Sequence, residues 1–258
     1  MCDSCEVPNF TEGLAKLAHL NADDVPIAVV DTPLGKSKFH MYGEYTEFRV
    51  RTLLTKEPET VAWISSLSAG DVFWDIGANI GLYTVLAGLR GMKVSAFEPS
   101  PTNFWLLNQN VSLNRLSNVQ CLPLALSGTT NLVPFQVDLT PAAAGVNQIA
   151  VTSSMTVTQS YRADDLVLSK IVAAPQHLKI DVDGIELEIL NGANSLLTGS
   201  SVKTVMCEVD ESDNSTTTAI HSLLTSNGFS NVTTRFPPYF DDNYYLPRAN
   251  HLFQRPGH

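Results

Sequence analysis

The stretch Trp74-Asp75-Ile76-Gly77-Ala78-Asn79-Ile80-Gly81 (WDIGANIG) decides the fold. The residues 71–77 predict a short apolar strand that a glycine ends, and residues 81–89 predict the helix that follows. Glycines in such a turn let the backbone approach a ligand closely, and the first turn of the helix offers free N–H groups. The stretch therefore predicts a strand–turn–helix unit that binds a ligand at the carboxyl end of its strand.

The glycine spacing in this turn indicates which ligand it suits. A dinucleotide site has the pattern G-x-G-x-x-G, whereas the pattern from Gly77 to Gly81 is G-x-x-x-G. Asp75, directly before the turn, would repel a pyrophosphate but suits the ammonium group of an amino acid. This combination favours S-adenosylmethionine, whose methionine end is a zwitterion. An ordinary tight turn between a strand and a helix is the alternative interpretation.

Strands and helices alternate through the rest of the chain. After the first unit, the pattern predicts strands at 93–97, 119–126, 177–182 and 202–209, helices at 101–116, 164–171, 185–197 and 216–227, an inserted hairpin within 128–161, and closing strands at 229–236 and 244–253. Such alternation predicts an α/β fold, with a mostly parallel central sheet and helices on both faces. These sheets bind ligands beyond the carboxyl ends of their strands.

The first 60 residues do not follow this alternation. We interpret residues 1–60 as an N-terminal extension with short strands, at 25–30 and within 38–51, and residues 61–258 as the main domain. A helix that begins at Pro58 and ends near Gly70 leads into that domain.

A carboxylate follows the second strand of the alternating region. Glu98 lies 21 positions after Gly77, and a carboxylate about 20 residues after a glycine turn can accept both hydroxyl groups of a ribose. An NAD enzyme would show the same feature, so Glu98 indicates a nucleoside without identifying it.

Charged residues interrupt the fourth and fifth strands of the alternating region. Alternation places Lys179, Asp181 and Asp183 on one face of the fourth strand, and Glu208 and Asp210 share a face of the fifth. Central parallel strands are normally apolar on both faces, so this pattern points to function. A structural Lys–Asp ion pair is the alternative.

These motifs resemble the FkbM family of methyltransferases. The resemblance rests on WDIGANIGLYT (74–84), AFEPSP (96–101) and LKIDVDGIELEIL (178–190), and it covers roughly residues 60–235. It implies a Rossmann-like class I methyltransferase fold with a seven-stranded sheet and S-adenosylmethionine as cofactor. The implied cofactor-binding residues are Asp75, Gly77, Ala78, Asn79, Gly81, Tyr83, Thr84, Glu98, Pro99 and Ala125. The implied catalytic residues are Lys179, Asp181, Asp183 and Glu208, although the family usually has Glu where this chain has Asp183.

The family mostly methylates hydroxyl groups, so the resemblance implies a hydroxylated small molecule, a sugar or natural product, as acceptor. A hydroxyl is a poor nucleophile until its proton is removed, and Asp181 is our first choice for positioning or deprotonating it. A Mg²⁺ ion held by Asp181 with Glu208 or Asp210 is an open alternative.

Two expectations follow for variants. Because the chain has 16 Lys and Arg against 26 Asp and Glu, we expect the acidic side chains at these strand ends to lack cationic partners. Asp181→Asn should then leave the melting temperature equal or higher. Gly77→Val should abolish cofactor binding and leave the fold intact, because the new side chain would occupy the space of the methionine moiety.

The composition of the chain bears on the alternative functions and on the cellular location. The net charge of −10 argues against nucleic acid as a substrate, so an RNA 2′-O-methyltransferase is a weaker alternative. An NAD-dependent oxidoreductase would share the Glu98 feature but not the glycine spacing, and a non-catalytic nucleoside-binding module would not need the acidic residues of the fourth and fifth strands. Cys2 and Cys5 form a C-x-x-C motif without further zinc ligands, and we predict no role for it. No membrane span or signal peptide is predicted, which favours the cytoplasm.

The acceptor and the oligomeric state are not predicted from the sequence. Four aromatic residues near the C-terminus could stack on a sugar or another ring, although a closing hairpin explains them equally well: Tyr239, Phe240, Tyr244 and Tyr245.

Overall fold

The computed structural model describes residues 25–136, 148–149, 156–233 and 248–257. Some of the residues discussed above lie outside the described residues: Cys2, Cys5, Tyr239, Phe240, Tyr244 and Tyr245. Within the described ranges, no helix has the length and apolar character to span a membrane.

The secondary structure follows the predicted alternation closely. The strands are β1 (Ile27–Thr32), β2 (Gly35–His40), β3 (Val72–Ile76), β4 (Lys93–Phe97), β5 (Val119–Leu122), β6 (Ala125–Leu126), β7 (Asn131–Gln136), β8 (Gln148–Ile149), β9 (Val157–Tyr161), β10 (His177–Ile180), β11 (Thr204–Asp210), β12 (Ser230–Asn231) and β13 (Arg248–Gln254). The helices are α1 (Gly43–Arg51), α2 (Pro58–Ser66), α3 (Leu82–Leu89), α4 (Pro101–Leu113), α5 (Ala163–Leu168), α6 (Glu186–Gly192), α7 (Asn194–Thr198) and α8 (Asn214–Ser226).

Seven of the described strands form the main sheet, in the order β12-β13-β11-β10-β3-β4-β5. Neighbours from β11 to β5 pair in parallel, whereas β13 is antiparallel to both β11 and β12. The prediction of a mostly parallel seven-stranded sheet in an α/β fold is confirmed.

Helices cover both faces of this sheet because successive strand residues point to opposite sides. Trp74 and Val205 pack with α6, α7 and α8 in one hydrophobic cluster. Phe73 and Met206, their neighbours in sequence, pack with α2 and α3 in another. Both clusters are buried, so each strand contributes to two cores, as a central parallel strand should.

The N-terminal segment differs from its prediction. The predicted strand within residues 38–51 ends at His40, and α1 follows it. Gly43 takes a positive φ of 81° and turns the chain. In α1, Thr46 and Val50 bury one side at the i,i+4 spacing of a helix. The expectation of a strand over this segment was therefore wrong.

Two other predicted elements each form two shorter elements in the structure. The predicted strand 119–126 ends at Leu122, because Pro123 follows and has no backbone N–H for a sheet. Beyond it, β6 joins a second sheet of order β6-β9-β7-β8, which contains the strands of the predicted insertion. The predicted helix 185–197 forms two shorter helices that meet at Ala193.

The hairpin formed by β1 and β2 docks on α4 through asparagine side chains. The backbone N–H groups of Lys38 and His40 donate to the Oδ1 atoms of Asn114 and Asn110, each at 2.9 Å. The amide of Asn110 also donates to the carbonyl of Ile80 at 2.8 Å, so this buried side chain joins the hairpin to the turn before α3. The hydrophobic cluster with α2 and α3 likewise includes Phe39.

We expect Asn110→Ala to lower the free energy of unfolding by about 2–4 kcal/mol, because it leaves a part-buried N–H and a buried carbonyl without partners. Chemical denaturation would measure the loss. Asn108→Ala is the matched control: Asn108 is exposed and donates only to its own helix, so it should change stability by less than about 0.5 kcal/mol. Equal effects of the two substitutions would contradict this role of Asn110.

Candidate active site at the carboxyl edge of the sheet

The site lies where the strand order reverses. The chain passes from β3 to β4 and β5 on one side of the sheet, and β10 and β11 fill the other side. In open α/β sheets the crevice at such a switch point is where ligands bind. The structure brings the predicted cofactor residues at the ends of β3 and β4 to this one edge, together with the predicted acidic residues that follow β10 and those at the end of β11.

The turn after β3 has the backbone geometry that its glycines suggested. Gly77, Asn79 and Gly81 all have positive φ, at 81°, 50° and 87°. The N–H groups of Gly77 and Ala78 both donate to the carbonyl of Phe97, at 3.1 and 3.0 Å. The turn is therefore tied to the end of β4.

Gly77 is required by packing as well as by any ligand. A Cβ atom at Gly77 would lie 1.9 Å from the backbone carbonyl oxygen of Asp181 and 3.0 Å from Cγ1 of Val182. The expectation that Gly77→Val leaves the fold intact is wrong, because the side chain would collide with the end of β10. A substitution here cannot separate cofactor binding from folding.

Asp75 is buried at the end of β3. Its Oδ2 atom accepts a hydrogen bond from Thr84 Oγ1 in α3 at 2.6 Å, while its Oδ1 atom has no hydrogen-bond partner within the described residues. Burial raises the pKa of Asp75, and the nearby Lys179 ammonium opposes that rise. The free Oδ1 atom can accept a hydrogen bond from a cationic donor.

Glu98 follows β4 directly and accepts hydrogen bonds from the backbone of the turn after β3. Its Oε2 atom accepts from the N–H of Asn79 and its Oε1 atom from the N–H of Ser100, each at 2.8 Å. Burial raises its pKa to about 7, although these two backbone hydrogen bonds lower it. Each oxygen keeps a lone pair for a further donor. Pro99 follows directly, and the buried Ala125 begins β6 just past the end of β5.

Lys179 and Asp181 form an ion pair in the middle of the sheet. Lys179 is 1% exposed, and its Nζ atom lies 2.7 Å from Asp181 Oδ2. The same ammonium lies 4.8 Å from the ring centroid of Tyr83. Burial raises the pKa of Asp181, but the charge and hydrogen bond of Lys179 outweigh it and lower the pKa overall.

Arg248, on β13, pairs with the two other predicted acidic residues. Its Nη1 atom contacts Asp183 and lies 3.3 Å from Glu208 Oε2. Burial raises the pKa of Asp183, which Arg248 opposes. Burial raises the pKa of Glu208 to about 8, helped by the negative charges of Asp181 and Glu57.

The expectation of carboxylates without cationic partners is therefore wrong for Asp181, Asp183 and Glu208. Lys179 and Arg248 supply the partners despite the acidic composition. Removing one member of a buried pair typically costs about 3–5 kcal/mol, because the other charge stays buried. Asp181→Asn should thus lower the melting temperature, contrary to the expectation from sequence.

Asp183 does not continue a strand face as alternation implied, whereas Asp210 ends β11 and keeps the alternation with Glu208. The strand β10 ends at Ile180, and Asp183 has a left-handed backbone with φ of 58°. Asp210 is exposed and accepts from the N–H of Ser212 at 2.9 Å, within its own turn. Among the residues that the structure describes, no three His, Cys, Asp or Glu side chains converge as a metal site would require.

Sequence reasoning missed residues that distant segments bring to this edge. They include Arg248, Glu57 and Asn250, of which the last two meet through a hydrogen bond of 3.1 Å. Glu57 precedes α2 and Asn250 lies on β13, so 193 positions separate them. No local motif marks such residues, because the strand order and the packing of α2 bring them to this edge.

The strand order and the carboxylate at the end of the second parallel strand define a Rossmann-like fold of the class I methyltransferases. A solved structure of a methyltransferase FkbM from Methylobacillus flagellatus has the same fold, with a TM-score of 0.53, 18% identity, and coverage of 82% of this chain and 55% of that chain. The predicted fold class is confirmed.

The family model described as the methyltransferase FkbM domain matches residues 75–230, so the chain belongs to the FkbM methyltransferase family. The chain is 32% identical to the hexuronic acid methyltransferase AglP of Haloferax volcanii over 163 residues, which are 63% of this chain and 65% of AglP. It is 28% identical to the 31-O-demethyl-FK506 methyltransferase FkbM of Streptomyces tacrolimicus over 244 residues, which cover 81% of this chain and 92% of that protein. The prediction of an S-adenosylmethionine-dependent methyltransferase is confirmed.

We expect the affinity for adenosylhomocysteine to fall as the pH falls through about 7, because protonated Glu98 accepts fewer hydrogen bonds from a ribose. At pH 6 the dissociation constant should be about tenfold higher than at pH 8, the effect of one proton on a group with a pKa near 7. Isothermal titration calorimetry at both pH values measures it.

Glu98→Gln should weaken binding at pH 8 and remove most of the pH dependence. Glu188→Gln, an exposed control with the same change of charge, should retain the wild-type values. A pH dependence that persists in Glu98→Gln would contradict the assignment of Glu98 to the ribose.

Proposed function

We propose that the protein transfers a methyl group from S-adenosylmethionine to a hydroxyl group of a sugar or natural-product acceptor, with Glu208 as the base. The observation that carries this proposal is the placement of Glu98 and Glu208 at one sheet edge on either side of the Gly77 turn. The named activities of AglP and FkbM, on a hexuronic acid and on 31-O-demethyl-FK506, support these classes of acceptor.

The residues around the turn suit adenosylmethionine. Glu98 would accept the ribose hydroxyls with the lone pairs that its backbone donors leave free. The buried Oδ1 atom of Asp75 has no partner in the described structure, and the ammonium group of the methionine moiety would supply one. When bound, the cofactor supplies a methyl group on a sulfonium sulfur, which becomes a neutral thioether when the acceptor oxygen takes the methyl.

The acidic side chains suit different roles toward the acceptor hydroxyl because their pKa values differ. Asp181, whose pKa Lys179 lowers despite burial, stays ionised and is suited to accept a hydrogen bond from the acceptor hydroxyl and orient it. Glu208, whose pKa burial raises to about 8, is suited to remove the hydroxyl proton near neutral pH. We therefore propose Glu208, rather than the first choice Asp181, as the base.

Asp183 and Arg248 would then act on Glu208 rather than on the acceptor. Arg248 contacts both Asp183 and Glu208, so the guanidinium fixes the direction in which Glu208 presents its carboxylate. A guanidinium is rigid and always charged, and it stabilises the ionised form of Glu208 when the base is free of its proton. Asp183 holds that guanidinium in place.

The weaker alternatives lack comparable support. An RNA 2′-O-methyltransferase would bring a polyanion to an edge that carries Asp181, Asp183 and Glu208. A non-catalytic module would not need a buried carboxylate with a pKa near neutrality. The family membership argues against an NAD-dependent oxidoreductase. The cytoplasmic location remains a prediction from sequence.

We expect Glu208→Gln to lower kcat at saturating adenosylmethionine by at least about 10²-fold, the usual contribution of a positioned base. In the wild type, kcat should rise with pH through about 8, and Glu208→Gln should lose this rise because the group that ionises is gone. The affinity for adenosylhomocysteine should stay unchanged. Transfer of a radiolabelled methyl group to a panel of monosaccharides, uronic acids and macrolide alcohols measures the rates.

Glu188→Gln provides the control for charge, since Glu188 is exposed on α6. If Glu208→Gln retains the wild-type kcat and its rise with pH, another group is the base.

We expect EDTA to leave the wild-type rate unchanged within about twofold. Asp181 and Glu208 already pair with Lys179 and Arg248, and a bound metal ion would require them to release these partners. The measurement compares initial rates before and after dialysis against EDTA. A loss of activity that added Mg²⁺ restores would favour the alternative in which a metal lowers the pKa of the hydroxyl.

A further inference from the structure

Glu186 is a buried carboxylate that the proposed methyl transfer does not use. It begins α6 and is 6% exposed, although glutamates are rarely buried unless they have partners. A buried carboxylate is costly unless hydrogen bonds satisfy it. The partner of Glu186 therefore shows what the protein gains from it.

Glu186 accepts a hydrogen bond from the turn that joins β10 to α6. The donor is the backbone N–H of Gly184, which lies 3.0 Å from Glu186 Oε1. Gly184 and the residue before it, Asp183, both have positive φ, at 116° and 58°. Positive φ is unfavourable for a residue with a side chain, and it persists only where the surroundings hold it. The hydrogen bond to Glu186 holds this turn from the side of the helix.

The side chain of Asp183 connects this turn to the proposed base. It contacts Arg248 Nη1, and the same Nη1 atom lies 3.3 Å from Glu208 Oε2. Asp183 reaches the guanidinium from a left-handed backbone, so a return to negative φ would turn its carboxylate away from Arg248. A series of contacts therefore runs from Glu186 through the turn and Arg248 to Glu208.

We propose that Glu186 is a positioning residue for methyl transfer: by accepting the N–H of Gly184 it keeps Asp183 in its left-handed conformation, and Asp183 keeps Arg248 against Glu208. This inference rests on the proposed function, in which Glu208 is the base. Glu186 reaches the acceptor hydroxyl only through other residues, so it is not itself a catalytic residue.

The first test is the kinetics of Glu186→Leu in the whole chain, because leucine has no hydrogen-bond acceptor in its side chain. We expect kcat to fall about tenfold, the equivalent of one hydrogen bond to a charged group, with unchanged affinity for adenosylhomocysteine. The rise of kcat with pH should move to higher pH, because Glu208 loses part of the positive charge of Arg248 that lowers its pKa. A residue that only supports the fold would lower stability without moving this profile.

Glu186→Gln is the conservative variant that should rescue the reaction. Its side-chain oxygen can still accept from Gly184, so kcat should return to within about twofold of the wild-type value, with no move of the profile to higher pH. Loss of a negative charge alone would move the profile to lower pH instead. A folded Glu186→Leu protein with the wild-type kcat and profile would overturn the inference, as would a Glu186→Gln protein with the same defect as Glu186→Leu.

Gly184→Ala tests the same turn where Glu186→Leu does not fold. Beyond its chain neighbours, a Cβ atom at Gly184 would meet no atom of the described residues within 4 Å, so this substitution acts through φ alone. It should lower kcat and move the pH profile as Glu186→Leu does.

Gly35→Ala is the matched control for that substitution. Gly35, in the hairpin of β1 and β2, has φ of 113° and equally open surroundings among the described residues. It should lose a similar amount of stability and retain both kcat and its pH profile. Equal profiles for the two alanine variants would overturn the inference.

A double-mutant cycle on unfolding free energies separates this inference from the proposed function. If the turn holds Asp183 against Arg248, Gly184→Ala should destabilise the protein less once Arg248→Gln has removed that contact. Additive energies would overturn the inference. If the energies are coupled but the wild type methylates no hydroxylated acceptor, the proposed function fails while the link between the turn and Arg248 stands.

Discussion

The ammonium group of Lys179 is the charge on which the active edge depends. It lies in the central strand β10, almost fully buried, and a buried ammonium without partners would cost several kcal/mol. Asp181, the ring of Tyr83 and, from the neighbouring strand, Asp75 surround it. Because side chains alternate along a strand, a slip of one residue would turn Lys179 to the opposite face and separate it from Tyr83 and Asp75. The contacts of the ammonium with these two residues therefore favour one register for β3 and β10.

The same register places the backbone of the cofactor turn. Gly77 approaches the carbonyl of Asp181 so closely that no side chain fits between them. The turn that would hold the cofactor and the aspartate that would orient the acceptor are thus built against each other. A displacement of either would change the distance between donor and acceptor, and methyl transfer depends on that alignment.

Three carboxylates at this edge have different pKa values for different physical reasons. Burial dominates at Glu98 and Glu208, whose pKa values rise to about 7 and about 8. At Asp181 the Lys179 charge outweighs burial and lowers the pKa. Groups of one chemical type can then bind a ribose, orient a hydroxyl and accept a proton at the same pH. The environment, rather than the residue type, assigns the roles.

Much of the fold and half of the site could be predicted from the sequence. The apolar strands and the glycine turn at Gly77 follow from local patterns, as does the carboxylate Glu98 at its fixed spacing. The partners of the acidic residues could not be predicted, because Arg248 and Glu57 reach the edge only through the strand order and the packing of α2. The helix α1 was missed since its segment also carries the β-branched and aromatic residues of a strand, and only Gly43 interrupts them.

A crystal structure of the protein with adenosylhomocysteine would show whether the ligand lies between the Gly77 turn and the acidic residues. We predict that the ribose hydroxyls contact Glu98, that the amino group lies at Asp75, and that the sulfur faces the space between Asp181 and Glu208. A ligand bound elsewhere, or one bound at the Gly77 turn with its sulfur directed away from Glu208, would contradict this prediction.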